Sequence, residues 1–580
     1  MSSFSVRYAI TFCLLLAFSI NSFAQTKAFD TSRMDTSADA CEDFYQYANG
    51  GWLKNTEIPA SQARWGSFNI LNENNNNTLK SILESAGQAK APAGSSLQLI
   101  GDFYASCTNE DEIEKAGTTA LNPYFQQINN IKDVKGLQQQ IAAFHSMGIG
   151  NIFTFGVFSD AKNSSMNVAN ANQGGLTLPT KDYYLKDDPK SVETRTKFVE
   201  HLTNMFKLFG DDADKAAANA KTVLDFQTRL AKASMSPVEL RDPEKTYNKK
   251  DLAQLTEMSP NFSWTAYLTT RGIPQVKEVI IGQPDFFAEV SKMMTEVPLD
   301  QWKTNLRWAL ITSTANRLPK AFVDENFNFF GKYLSGQKEM LPRWRRCASA
   351  TDNNLGEALG QEFVKKAYTP EAKKRMDVMI DNLFAAYRER INNLEWMSAE
   401  TKTKALAKLA AIKRKIGYPD KLRGYAGLKI DRTSYLANTL SSAQFQIARN
   451  LKDVNTPVDK TRWGMTPPTV NAGYNPVFND VTFPAGILQP PFFNANADDA
   501  INYGAIGGGI GHEITHGFDD EGSQFDGDGN LKSWWTPEDR KKFEERANCV
   551  VEQFNGYEVQ PELFINGKLT LGENLGDLGG

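Results

Sequence analysis

The residues best placed to do chemistry are His512-Glu513-Ile514-Thr515-His516, an H-E-x-x-H pattern. On a helix, positions four apart share a face, so both imidazoles can reach one metal ion. Glu513, one position along, can point at a water on that metal instead of at the metal. A hydrolytic zinc site needs this set: neutral imidazole ligands, an open position for water, and a carboxylate that takes the water's proton. Zinc brings the pKa of such a water to about 7, so hydroxide is available at neutral pH. The chain has only 4 histidines in 580 residues, which makes a chance occurrence a poor alternative. Ile510 and Ile514 give the helix an apolar side, and Gly507-Gly508-Gly509 leaves the approach to the metal uncrowded.

One zinc per chain requires a third protein ligand. His145 and His201 lie far upstream, and no histidine follows His516. The extended pattern H-E-x-x-H-x-x-G-x-x-H is excluded, because Asp519 stands where its Gly belongs and Gly522 where its His belongs. A downstream carboxylate is the remaining option. Thr570–Gly579 (TLGENLGDLG) offers Glu573 and Asp577, four apart and so on one helical face. One could bind zinc while the other accepts the free N–H of a zinc-binding histidine. Thr570-x-x-Glu573 is equally a capping box, and spacing alone leaves both readings open. Asp526–Asn530 (DGDGN) is not a calcium loop: Leu531 occupies the sixth position, where Gly is needed, and Pro537 the twelfth, where Glu is needed. A tight surface turn is the better reading.

The elements that must position these residues are mostly helical. Met376, Ile380, Leu383, Tyr387, Ile391 and Leu394 recur at three- or four-residue spacing and predict one apolar helix face. A second helix is expected from Ser398 as N-cap to Lys413-Arg414-Lys415 in its last turn, stopped by Gly417 and Pro419. Asn72–Asn77, Ala91–Ser96 and Asp160–Ser165 are expected as surface loops. Beyond Gly417, Pro and Gly become frequent, and Val470–Gly486 predicts strand and turn. Helix resumes around Ile501–His516, and another begins at Thr536-Pro537. No internal repeat is visible.

Length and composition set the frame. The chain is too long for one ordinary domain, and 41% apolar content with 36 Phe, 18 Tyr and 10 Trp supports a dense core. The net charge of −4 is spread without a basic patch, which argues against nucleic acid as a partner. Arg7, the uncharged run Ala9–Ile20 and Ser22-Phe23-Ala24 predict a signal peptide over residues 1–24, with a mature start near Gln25. No later stretch is long and apolar enough to span a membrane. An extracytoplasmic protein, secreted or periplasmic, is therefore expected. Cys41, Cys107, Cys347 and Cys549 remain after the leader, and their even number suits an oxidising compartment.

Seven segments resemble the neprilysin and endothelin-converting-enzyme group of zinc peptidases, in its bacterial form. They are CEDFYQYANGGWL (41–53), PRWRRC (342–347), IGYP (416–419), VNAGY (470–474), FPAGILQPPFF (483–493), NYGAIGGGIGHEITHGFDDEG (502–522) and GENLGDLGG (572–580). The resemblance implies a mainly α (α+β), two-lobed body, with a thermolysin-like catalytic lobe and a larger helical lobe enclosing a cavity. It divides the chain into an N-terminal segment 25–45 packing on the catalytic lobe, a helical lobe 46–414 and a catalytic domain 415–580. It implies a metalloendopeptidase acting on oligopeptides, with His512, His516 and Glu573 as zinc ligands. Glu513 becomes the general base, and Asp577 the carboxylate that orients His512. Asn471 and Ala472 match an edge strand that holds extended peptide by strand addition. Phe492 matches an apolar wall of the side-chain pocket, and Arg64 an arginine that meets a substrate's C-terminal carboxylate. Gly508 and Gly509 stand where the animal enzyme has bulkier apolar residues, which implies a different pocket width. Cys107 is expected to pair with Cys347, leaving Cys41 and Cys549 unpaired or joined to each other. Members of the group continue past the third-ligand segment with a histidine and an arginine that stabilise the transition state. The chain is accordingly expected to be a fragment of the active enzyme. The alternative is a catalytically impaired protein that binds zinc and peptide.

Overall fold

Apolar residues at helical spacing turn most of residues 30–580, the part that the computed structural model describes, into helix. The expected signal peptide lies outside the described residues. The chain divides into two compact units, one up to Thr56 and one from Glu57 onward. In the first, a helix over Phe44–Asn55 starts at Asp43, whose side chain accepts from the amide of Gln46.

The second unit contains two hydrophobic cores. The first draws on residues 121–334 together with Leu436, Leu451 and Val454, and it buries Trp264, Trp302 and Trp308. It also contains a four-stranded sheet in the order Phe153–Asp160, Asn163–Gln173, Glu278–Ile281, Asn248–Asp251. Asn163–Gln173 and Glu278–Ile281 run parallel, and the other pairs antiparallel. The second core groups residues 71–113 with 347–435 and 481–535. It is thus assembled from both sides of residue 414 and includes the motif residues Ile510 and Ile514.

Within the second core, the helix Pro370–Asn392 carries the expected stripe and buries Met376, Ile380 and Ile391. Its N-cap Thr369 accepts from the amide of Ala372. The helix capped by Ser398 covers Ala399–Ala411 and stops earlier than its basic residues suggest. Lys413–Gly417 is a strand, parallel to Asp480–Pro484, not a last helical turn. The reason is tertiary: Ile416 pairs with the buried Phe483, and Lys415 reaches the buried carboxylate of Asp480 at 2.5 Å. Asp480–Pro484 is central and wholly buried, with Gly473–Asn475 antiparallel at the other edge.

The run Asn72–Asn77 is not a loop. It lies inside the helix Ser67–Gln88, whose Leu71, Leu79, Ile82 and Leu83 face the core. Asn75 is buried there and donates to the carbonyls of Pro468 (3.3 Å) and Gly486 (3.0 Å). Its amide thereby ties this helix to both ends of the segment that holds the edge strand. The Asp160–Ser165 stretch is the tight end of a hairpin, between strands that composition did not reveal. Asp526 accepts from the amides of Asp528 and Asn530, which is the surface turn expected there.

Candidate metal centre

The H-E-x-x-H residues sit at the end of a nearly continuous helical run: an α-turn over Asp499–Asn502, a π-helical stretch over Tyr503–Gly507 and the motif helix Gly508–Thr515. Ile510 and Ile514 are fully buried and anchor it to the second core. His512 and His516 turn their Nε2 atoms toward each other, 2.9 Å apart.

A second helix, Leu571–Gly579, crosses the first at close range. Thr570 precedes it, but its side chain makes no cap to the helix; the hydroxyl instead meets the carbonyl of Asn566 and the amide of Asn574. The capping-box reading of Thr570-x-x-Glu573 is therefore not realised. Glycines make the approach possible: a Cβ on Gly576 would lie 2.7 Å from the His512 ring, and one on Gly511 would lie 2.7 Å from Gly580. Tyr387, on the helix Pro370–Asn392, puts its hydroxyl 2.7 Å from the Gly511 carbonyl and 3.0 Å from that of Gly579. One phenol thus pins both helices.

This crossing brings Glu573 Oε2 to 3.4 Å from His512 Nε2. One donor atom from each of His512, His516 and Glu573 lies within 4.8 Å of the others. Asp577 Oδ1 accepts from His512 Nδ1 at 2.8 Å, and Asp519 Oδ2 accepts from His516 Nδ1 at 2.7 Å. These two carboxylates hold both rings with the proton on Nδ1. With both rings neutral, two Nε2 lone pairs face each other at 2.9 Å, an arrangement relieved by a proton or a metal cation between them. Tetrahedral zinc with bonds of about 2.0–2.1 Å has donor–donor edges of roughly 3.3 Å, and the observed 2.9 and 3.4 Å bracket that value. The donor set fits zinc.

Asp519 is the residue that sequence reading missed, having entered only as a departure from a longer histidine pattern. Its signal was present: a carboxylate three residues after His516 in HGFDD. It is buried, and its second oxygen accepts from the amides of Glu521 (3.0 Å) and Gly522 (2.6 Å). Burial alone would lower the His516 pKa, but the hydrogen bond and charge of Asp519 raise it above the ordinary imidazole value.

Glu513 is buried beside the two imidazoles. Burial pushes its carboxyl above the ordinary range, and the charge of Glu573 adds to this; His516, His512 and the backbone of Tyr474 pull the other way. Tyr474 belongs to the edge strand Gly473–Asn475, so the same backbone that borders the base also borders the open sheet edge. Asn471, exposed, and Ala472, partly buried, immediately precede that strand.

Phe492 stacks on Phe68 with centroids 4.5 Å apart. Arg64 is exposed. Among the described residues, no hydrogen bond, ion pair or ring contact ties either to His512, His516 or Glu573. The other histidines belong to the first core: His145 meets Tyr267 at 2.8 Å and burial lowers its pKa to about 3, while His201 meets Glu325 at 2.9 Å. The Cys107–Cys347 disulfide is present, and Cys41 and Cys549 are free and exposed.

Residues 40–419 and 471–580 match the two parts of the family described as Peptidase family M13. An endothelin-converting enzyme homolog of Locusta migratoria is 34% identical over 95% of this chain and 78% of its own length. Neprilysin-3 of Drosophila melanogaster is 33% identical over 94% of this chain and 73% of its own. The crystal structure of the Mycobacterium tuberculosis zinc metalloprotease Zmp1 with an inhibitor superposes with a TM-score of 0.91 at 37% identity, covering 95% of this chain and 85% of that one.

Proposed function

The chain belongs to peptidase family M13 and is a metalloendopeptidase, and from that premise we propose how its own residues carry out hydrolysis of oligopeptides. His512, His516 and Glu573 hold one zinc per chain. Zinc, when bound, polarises the scissile carbonyl and lowers the pKa of water to about 7. Glu513 accepts a proton from the attacking water at its carboxylate and delivers it to the leaving amine. Asp577 and Asp519 keep the two imidazoles oriented through their Nδ1 protons.

An extended peptide adds to the free edge of Gly473–Asn475 through main-chain hydrogen bonds, assisted by Asn471 and the backbone of Ala472. Phe492 lines the side-chain pocket beyond the scissile bond, and Arg64 receives a C-terminal carboxylate. A compartment outside the cytoplasm is supported by the Cys107–Cys347 disulfide. Among the described residues no helix is long and apolar enough to cross a membrane.

The observation that carries this reading is the convergence of three donor atoms within 4.8 Å, with both remaining imidazole nitrogens tied to carboxylates. Its test is metal analysis together with a peptide-cleavage assay. We expect one zinc per chain in the parent protein and loss of zinc and activity in His512→Ala and His516→Ala. Undiminished zinc in both variants would end the assignment. Zinc retained by a parent protein that cleaves no peptide would favour the zinc- and peptide-binding alternative.

A further inference from the structure

A second cluster of charge lies between elements of the two cores, and the hydrolytic reading makes no use of it. Arg317, Arg343 and Arg346 line one cavity of about 450 Å³, together with Tyr435. Arginines in this protein usually find a carboxylate; Arg345, one residue before Arg346, pairs with Glu73. These three do not, among the described residues. Arg343 donates through Nε and Nη2 to the carbonyl of Cys107 at 2.8 and 2.6 Å. Arg346 gives only its Nε, to the carbonyl of Leu341 at 3.1 Å. Arg317 donates to the carbonyl of Ser313.

Among the described residues no carboxylate pairs directly with these guanidinium groups, although Glu110, Glu114 and Asp324 line a neighbouring cavity that shares Arg343 and Arg346. Burial and the neighbouring Arg343 both lower the pKa of Arg346, and the charges of Glu110, Tyr435 and Asp324 oppose this. Asp324 is itself paired with Lys320. Arg343 and Arg346 also lie in the first turn of the helix Arg343–Ala367, where Pro342 supplies no side-chain cap and the helix dipole adds further positive potential. Tyr435 is 7% exposed and belongs to the wall of the same cavity. Its ring lies under Arg343, with the guanidinium 5.6 Å from the centroid. Tyr435 thus adds a phenol to the wall that the guanidinium groups line.

The remaining walls set the kind of acceptor. Phe327, Phe330 and Leu341 line the same space, and a hydrated inorganic ion would leave them uncovered. The volume falls in the range of small-molecule sites, about 300–1,000 Å³. Guanidinium forks match the planar, two-oxygen geometry of a carboxylate.

We propose that this cavity binds an organic carboxylate with an apolar body, held by Arg317, Arg343 and Arg346 and by the hydroxyl of Tyr435. Two sources share that chemistry: an acidic peptide and a free dicarboxylic acid.

The test is isothermal titration of the zinc-loaded protein with four probes. These are N-acetyl-Phe-Glu-Glu-amide, its Gln-Gln analogue, glutarate and inorganic phosphate. We expect the acidic peptide or glutarate to bind, whichever is the natural source, at least tenfold more tightly than the neutral analogue and phosphate. Arg346→Gln and Arg317→Gln should each weaken that binding at least tenfold with zinc content unchanged. In anion-free buffer Arg346→Gln should melt no lower than the parent, because it removes a repelled charge that has no carboxylate partner. Should Arg346→Gln not fold, Arg317→Gln decides the question. Failure of both acids to bind, binding undiminished in the folded variants, phosphate binding as tightly as the acids, or a lower melting point for Arg346→Gln would each overturn the proposal.

Discussion

Glu573 and Asp577 lie four residues apart on one helix, yet they meet different nitrogens of the His512 ring. Glu573 faces the same Nε2 atom that the metal needs, whereas Asp577 holds the Nδ1 on the far side of the same ring. On the proposed ligand set, removing Glu573 takes away a charged ligand, so Glu573→Ala should lose nearly all zinc affinity. Asp577→Ala leaves three ligands and frees the His512 ring to rotate, and losses of that kind cost about 10–100-fold in metal affinity or activity. Competitive zinc titration separates the two. Near-normal affinity in Glu573→Ala would remove it from the ligand set, and a greater loss in Asp577→Ala would exchange the roles. The histidines and Glu513 were legible because one pattern encodes them within five residues of a single helix. Asp519 was not, because its part depends on a loop that turns its carboxylate back onto His516 while the amides of Glu521 and Gly522 hold the other oxygen. Nothing in a linear sequence marks that turn.

The site exists because two helices approach more closely than side chains ordinarily allow. Gly576 lies against the His512 ring, so any Cβ there must push the ring or the helix away. Gly576→Ala should leave the fold intact and weaken zinc binding at least tenfold, since the displaced atom belongs to a ligand ring and a tenfold change needs only about 1.4 kcal/mol. Zinc titration beside a thermal melt checks this, and unchanged affinity would mean that the crossing has slack. Helices with a clear apolar stripe, such as Pro370–Asn392, could be read from the sequence. Two elements could not, and for different reasons. The asparagine run in Ser67–Gln88 has poor helix-forming residues, but Asn75 is held by carbonyls 393 and 411 residues away. Lys413–Lys415 resembles a helix end but becomes strand through pairing with Asp480–Pro484. In both cases long-range partners outweigh local preference.

Across the whole molecule, the Cys107–Cys347 disulfide joins residues 240 apart and brackets the contiguous stretch 121–334 that builds most of the first core. Closing so long a loop restricts the unfolded chain, and loss of a native disulfide typically costs 2–5 kcal/mol. A Cys107→Ala, Cys347→Ala double variant should therefore unfold at lower denaturant, and peptide mapping without reduction should recover the linked pair. Two free thiols in protein exported to an oxidising compartment would contradict this. The second core joins distant segments, 71–113 with 347–435 and 481–535, so that one body supports the motif helix and the open sheet edge. Glu513 is buried beside the two imidazoles and is not one of the proposed ligands. The most direct measurement is zinc content and peptide hydrolysis in the same preparation of Glu513→Gln. One zinc per chain should remain while hydrolysis falls at least 100-fold, the lower end of what a general base contributes. Cleavage at the parent rate, or zinc lost along with activity, would contradict the role given to this residue.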